Sequence, residues 1–460
     1  MSRIHLLATA MGLGSALVCN TAFATDVFIL EGRGAKSRAM GGTGVAFDVG
    51  PAGLMLNPAT MSLGARGSLF SGGLDIITAD IAADGRASNE YIESRDGGAN
   101  NGPYFIPEVG YVWRGERWSF GIGAFGQGGL GVNYGSDSFL SDGASGTPTG
   151  LENSARLLVL DIPISASFDV TDKLSIGASL DPVWAGLNLN LLLGANQVGA
   201  LIGQNRVQGT LLPVLGTLPA LDAVHIGTVA DGPVSGGIDA WGLGGRVGLV
   251  YRATPATTLG ASYTFKTALD DLSGSATVTA VDLLAGQVPL QGELLLRDFQ
   301  MPATATIGVA HRINDRLTVS ADLSRVFWSD AMKDLNVGFT TAAGADLSVA
   351  LPQTYDDQTI LGVGVEYVSG PWSLRAGGRV ANQALQDEQL FAIVPAIPTR
   401  HASFGVGYAI DGRSSLDLSY THAFEETMSN SGPPNAIEPL SVSHSQNNVA
   451  VSYTIRFGAI

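Results

Sequence analysis

Val449-Ala450-Val451-Ser452-Tyr453-Thr454-Ile455-Arg456-Phe457 alternates apolar with small or polar residues without a break. Successive side chains of an extended chain point to opposite faces, so this stretch reads as a strand with one apolar and one mixed face. The pattern recurs upstream. Leu317, Val319, Ala321 and Leu323 alternate with Thr318, Ser320, Asp322 and Ser324. Leu361, Val363, Val365 and Tyr367 alternate with Gly362, Gly364 and Glu366, and Trp118, Phe120, Ile122 and Ala124 with Ser119, Gly121 and Gly123. Tight polar turns join such stretches in pairs, at 114–117, 170–173, 253–257, 313–316, 369–371 and 410–413. Their Asn-Asp, Gly-Pro and Asp-Gly steps are direct hairpin signals. Between the pairs lie much longer segments.

Short turns that alternate with long loops are the mark of an outer-membrane barrel, whose periplasmic turns are short and external loops long. Strand centres fall near Phe70, Val109, Phe120, Ile162, Ile176, Val247, Ala261, Ile307, Val319, Val363, Leu374, Val406, Leu418 and Val451, which predicts an all-β, fourteen-stranded antiparallel transmembrane β-barrel. A ring of that size is too wide for its own side chains to fill. It is therefore an open pore, or something plugs the lumen.

Composition agrees with the barrel. Hydrophobic residues make up 45% of the chain and charged ones only 14%, and no run beyond the N-terminus is long enough for a membrane helix. Such a chain must spread its apolar residues by alternation. A net charge of −16 speaks against nucleic acid, which needs basic patches. A soluble propeller or sandwich would alternate too, but would not separate its turns into a short and a long class.

Residues 1–24 read as a secretory signal. Arg3 supplies the positive start, Ile4 to Val18 the apolar stretch, and Ala22-Phe23-Ala24 a small-x-small cleavage site before Thr25. Cys19, the only cysteine, lies inside it, so disulfides, thiolate metal sites and cysteine nucleophiles are excluded from the processed chain. Residues 25–63 follow with little alternation. Glu31 to Ala46 is small and glycine-rich, which permits positive φ and close backbone packing. Asn57-Pro58-Ala59 is a turn unit in which Asn caps its own backbone and Pro sets φ. Val27, Phe28, Ile29, Leu30, Met40, Phe47, Leu54 and Leu56 make the segment too apolar for a linker, so it is the candidate plug. The remainder, 64–460, is assigned to the barrel.

Met40-Gly41-Gly42 through Ala46, Asn57-Pro58-Ala59, the stretch 302–322 (PATATIGVAHRINDRLTVSAD) with Trp328-Ser329 after it, and 364–377 (GVEYVSGPWSLRAG) together resemble the FadL/TodX family of outer-membrane transporters. The resemblance covers the whole chain beyond residue 24. It implies that Met40, Gly41, Gly42, Asn57, Pro58 and Ala59 belong to an N-terminal hatch in the lumen. It further implies uptake of long-chain fatty acids or hydrocarbons: capture in an external apolar groove, passage inward, and lateral escape through the wall near a kinked third strand.

The residues themselves can be asked whether they suit that route. The external loop 190–237 is unusually apolar, with Leu211, Leu212 and Leu215 among its leucines, and the loop 271–298 adds Leu283 and Leu284. Contiguous exposed apolar surface usually marks binding, so these leucines are the candidate substrate groove; the alternative is that the two loops only pack on each other. The third strand runs on through a glycine cluster, Gly121 to Gly131. Glycine inside a strand marks a bulge or close approach, so Gly126, Gly128 and Gly129 are the candidate lateral opening, against an ordinary glycine-rich wall packed on the hatch. Parity puts Arg246, Arg375, Arg379 and Arg456 on the lumen side with Asp161, Asp181, Asp322, Glu366 and Asp417. The arginines either pair with those carboxylates or serve a fatty-acid head group. No nucleophile elbow, His-rich spacing or other catalytic constellation appears, so no enzyme activity, cofactor or metal is expected. The expected partners are a hydrophobic small molecule and outer-membrane lipid, and the barrel is expected to be a monomer. A general polar porin, or an outer-membrane lipid hydrolase using His401, His422 or His444, are the other readings.

Overall fold

The computed structural model describes residue 27 and residues 29–95, 102–228 and 237–458. The expected signal, 1–24, lies outside them. One antiparallel sheet closes on itself where the first strand, Gly67–Gly85, pairs along its full length with the last, Leu440–Phe457. The two faces of the wall are inverted relative to a soluble barrel. Phe70, Tyr111, Phe120, Ile176, Val363 and Leu418 stand exposed on the outside, while Ser119, Ser167, Asp181, Asp322 and Ser403 are buried on the inside. An outer face this apolar suits lipid rather than water as its solvent, and the strands pair with one another around the ring.

The ring contains sixteen strand segments among the described residues, not the fourteen expected from alternation. Two walls are each broken into two segments. Ser154–Asp161 and Ile164–Asp169 are separated at Ile162-Pro163, where proline has no N–H to give to the ladder. The alternation pattern puts a strand centre, Ile162, at that break. Thr257–Thr264 and Ala268–Leu269 are separated by Phe265 to Thr267, and both segments pair with Ile238–Arg252. The six short turns lie where the sequence puts them.

The two long external loops are more ordered than their sequences suggest. Leu174–Gly194 continues as strand well into the stretch assigned to the first loop, which goes on through the helices Ala195–Gly203 and Leu211–Leu215 to the strand Leu221–Thr228. The second is a hairpin, Leu272–Asp282 with Gly286–Arg297. Leu221–Thr228 pairs with one arm and Asp334–Thr341 with the other, so the loops build an external sheet above the ring. Beneath it lies one continuous apolar cluster that includes Leu201, Leu211, Leu215, Ile226, Leu294, Phe339 and the edge-to-face pair Trp328 and Tyr355.

Candidate functional site

The interior is built around residues 29–63. Met40 and Gly41 lie flat on the inner wall. A Cβ on Gly364 would come 2.5 Å from the Met40 carbonyl oxygen, and one on Gly362 2.6 Å from that of Gly41. Gly377 is equally barred, by the Gly41 nitrogen. Gly364 and Gly377 are cross-strand partners, so the two ends of the 364–377 motif form one flat footing. Gly41 and Gly42 themselves have φ of +68° and +77°, a conformation glycine adopts freely. The Gly41 N–H donates to Ser403 Oγ at 3.1 Å.

The 302–322 motif is a second footing. Gly308 and Asp322 are cross-strand partners, and Val45 packs over Gly308. The Asp322 carboxylate accepts from the N–H groups of Gly44 and Val45, at 2.8 and 3.1 Å. Thr43 Oγ1 and Ser320 Oγ are 2.7 Å apart. Asn57-Pro58-Ala59 is the third anchor. The Asn57 side chain accepts from the Ala59 N–H at 3.0 Å and donates to the carbonyls of Val45 and Leu249, at 2.8 and 3.0 Å. It caps a 3-10 turn, Pro58–Leu63, that rests on the strand containing Gly177.

Buried charge ties the segment to the wall and wall strands to one another. Arg38 bridges Glu31 and Asp75, each at 2.7 Å, and all three are buried. Arg246 bridges Asp161 and Asp181, at 2.7 and 2.5 Å. Arg375 bridges Glu366 and Asp417, at 2.8 and 2.6 Å. Arg246 and Arg375 thus pair with carboxylates, as one of the two sequence readings has it. The Asp322 carboxylate has a further role, as an acceptor for the backbone N–H groups of Gly44 and Val45. The sequence gives no sign of this, because parity shows the face of a residue and not its partner.

The strand Trp118–Asn133 is irregular at the glycines singled out from sequence. Its register against Ser154–Asp161 slips between Gly126 and Gly128, a β-bulge. The displaced Gln127 carbonyl points inward and accepts from Arg33 Nη2 at 2.7 Å and the Leu30 N–H at 3.3 Å, while Ile29 bridges Gly128. Beside the bulge lies the Ile162-Pro163 break, where the ladder is replaced by single bonds from Gly123 N–H to the Pro163 carbonyl and from Ile162 N–H to the Pro182 carbonyl. A side chain at Gly126 would run into Ile106, and one at Gly129 would meet the Leu157 carbonyl oxygen at 2.6 Å. Sequence reasoning found the glycines and missed Pro163, the other half of the irregularity, although proline inside an alternating run is a legible signal.

The five groove leucines are not brought together on one surface. Leu211 and Leu215 are buried in the apolar cluster and Leu212 is half-buried against it. Leu283 and Leu284 stand at the hairpin tip, 52% and 78% exposed. The Leu283 N–H does donate to the Ala220 carbonyl, so the two loops touch. Among the described residues no cluster of His, Cys, Asp and Glu with metal-ligating geometry is present.

The family model described as "Outer membrane protein transport protein (OMPP1/FadL/TodX)" matches residues 15–457. The toluene transporter TodX of Pseudomonas putida is similar in structure, with a TM-score of 0.83 and 40% identity over 94% of this chain and 100% of that one. The toluene transporter TbuX of Ralstonia pickettii has a TM-score of 0.79 and 44% identity over 93% of this chain and 99% of its own. A FadL homologue from Pseudomonas aeruginosa shares the fold at 18% identity, with a TM-score of 0.71 over 94% of this chain and 100% of that one. A curated protein of Chlorobium limicola, described as an uncharacterized protein in the phosphoenolpyruvate carboxykinase gene 5' region, is 43% identical over 77 residues; the chain spans 38% of its length, and the match takes in 16% of the chain.

Proposed function

The chain belongs to the outer membrane protein transport family (OMPP1/FadL/TodX), and on that premise we propose that it takes up small apolar hydrocarbons of the toluene class across the outer membrane. Substrate is caught at the external apolar surface and leaves sideways through the wall at Gly126 to Gly129. Residues 29–63, with Met40-Gly41-Gly42 and Asn57-Pro58-Ala59 as anchors, are the hatch that keeps water out of the lumen.

The observation that carries this reading is the paired irregularity of the wall. A bulge at Gln127 and a proline break at Pro163 stand side by side on neighbouring strands. Unpaired backbone at membrane depth is tolerated only where it lines a cavity or is buried in protein. The hydrocarbon branch is favoured over fatty acids by the relatives near 40% identity, both toluene transporters. It is also favoured by the arginines inside: Arg38, Arg246 and Arg375 already hold carboxylates of the protein.

The test is uptake of radiolabelled toluene and of oleate by cells that have this chain as their sole transporter of the kind. Saturable toluene uptake that is lost in Gly126→Val/Gly128→Val supports the reading, provided the variant still shows the heat-modifiable mobility of a folded barrel. Oleate uptake with no toluene uptake overturns the substrate class, and full toluene uptake by the folded double variant overturns the exit. A large steady conductance of the wild type in planar bilayers would favour the polar porin.

A further inference from the structure

The lipid-facing side of the wall bears a groove that the transport reading does not use. Its volume is about 970 Å³ and it opens outward among Trp118, Phe168, Val247, Tyr263 and Leu323. It follows from two neighbouring rows of outward side chains. Phe168, Ile176, Leu249, Ala261, Ile307 and Leu323 are partners in succession across six strands. The next row runs Ala166, Ala178, Val247, Tyr263, Ala305 and Arg325 by the same pairings. Ala166, Ala178, Ala261 and Ala305 are small where their neighbours are large, and the trough lies over them.

Barrel strands are tilted, so a row that follows the hydrogen bonds climbs through the membrane. Phe168 is next to last in its strand on the short-turn side, whereas Arg325 is next to last in its strand on the external side. Five inter-strand steps of about 4.8 Å give a length of about 24 Å, more than the roughly 15 Å half-thickness of a hydrocarbon core. The groove thus offers a full acyl-chain track that ends at the level of the outer-leaflet head groups.

Cations stand at that end. The Arg325 guanidinium, 46% exposed on the lipid side, is held by Thr359 Oγ1 at 2.8 Å and Asp357 at 3.3 Å. Five N–H donors leave it able to take a further acceptor. Lys266 is exposed close by. Its Nζ reaches the Asp330 carbonyl at 3.5 Å, and the Ser329 beside Asp330 donates to the same Asp357 that holds Arg325. An arginine on the groove and an exposed lysine near it, in a chain of net charge −16, suit an anionic head group.

We propose that this groove is a binding site for a phosphorylated glycolipid of the outer leaflet: an acyl chain lies over Ala178, Ala261 and Ala305, and a phosphate sits at Lys266 and Arg325. The occupant is a glycolipid of the lipid A type because the cations stand on the external side, where such lipids face the barrel.

Native mass spectrometry of the full chain in mild detergent tests this with three probes: bisphosphorylated lipid A, the same glycolipid without phosphates, and phosphatidylglycerol. The expected result is one lipid A retained per barrel. Ala178→Leu/Ala305→Leu, which fills the trough from the lipid side, lowers occupancy about tenfold, as does Lys266→Gln/Arg325→Gln, at unchanged heat-modifiable mobility. The dephosphorylated glycolipid binds the wild type no better than lipid A binds the charge variant. Equal occupancy in wild type and both variants overturns the site. Phosphatidylglycerol retained as well as lipid A overturns the assignment to a glycolipid.

Discussion

Replacing Asp322 with alanine should release residues 29–63 from the wall. The Asp322 carboxylate is buried and accepts from two N–H groups of the segment, those of Gly44 and Val45. Removing it leaves two buried donors without that partner. Each orphaned group costs about 1–3 kcal/mol, so the attached state is weakened by about 2–6 kcal/mol. At about 1.4 kcal/mol per factor of ten, even the lower figure shifts the balance roughly thirty-fold toward the released state. Asp322→Asn keeps one acceptor oxygen in place and should cost less. The assay is single-channel conductance in planar bilayers, with trypsin cleavage after Lys36 or Arg38 as the second readout. Both residues sit in the helix Gly34–Ala39 held against the wall. Asp322→Ala should open intermittent aqueous conductance and expose the cleavage sites, with Asp322→Asn between it and the wild type. If Asp322→Ala stays as closed and as resistant as the wild type, Asp322 does not anchor the segment and the sealing role fails with it.

Three further expectations concern other parts of the molecule. Leu283→Ser/Leu284→Ser, at the exposed hairpin tip, should lower uptake several-fold and leave refolding yield unchanged; Leu211→Ser/Leu215→Ser should lower protein yield, because burying a serine where leucine was forfeits about 2–3 kcal/mol per site. Equal yields for the two pairs would contradict the burial. Arg246→Met strands the Asp161 and Asp181 carboxylates, and urea unfolding in detergent should show a loss of about 3–5 kcal/mol, recovered in large part by Asp161→Asn/Asp181→Asn in the same chain. No recovery would mean that the arginine acts by packing rather than charge. His225, in the external sheet, is held below the usual imidazole value by burial, although its Nε2 lies 2.9 Å from the Glu152 carbonyl. The folded state therefore favours neutral imidazole while the unfolded strand takes up a proton near pH 6.5, so the external sheet loses stability as pH falls below that value. Protease resistance of this sheet should drop between pH 7 and 5 in the wild type and not in His225→Gln.

Much of the fold is legible in the chain because lipid outside and polar lumen inside impose a strict period of two, as at Val449 to Phe457 and Leu317 to Ser324. The six tight turns are legible for a related reason. Short hairpins need particular residues, such as Asn314-Asp315 and Asp411-Gly412, and long loops do not. Alternation is blind to a strand that stops and resumes, which is why Pro163 and the break at Phe265 to Thr267 make sixteen segments of an expected fourteen. It is also blind to order within the loops, whose apolar character reads the same whether leucines face water or a core. The structure alone places Leu211 and Leu215 inside that core and Leu283 and Leu284 outside it.

The family motifs divide in the same way. The glycines at 364 and 377 are visible as a pattern, but that they face each other beneath Met40 and Gly41 is a matter of strand register. The same holds for Gly308 and Asp322 beneath Val45, and for the row of small residues that hollows the outer wall below Arg325. Which face a side chain takes is a local property of an extended backbone, so the sequence by itself determined it. Which side chains meet across strands hundreds of residues apart depends on register and closure, and only the tertiary structure decided that.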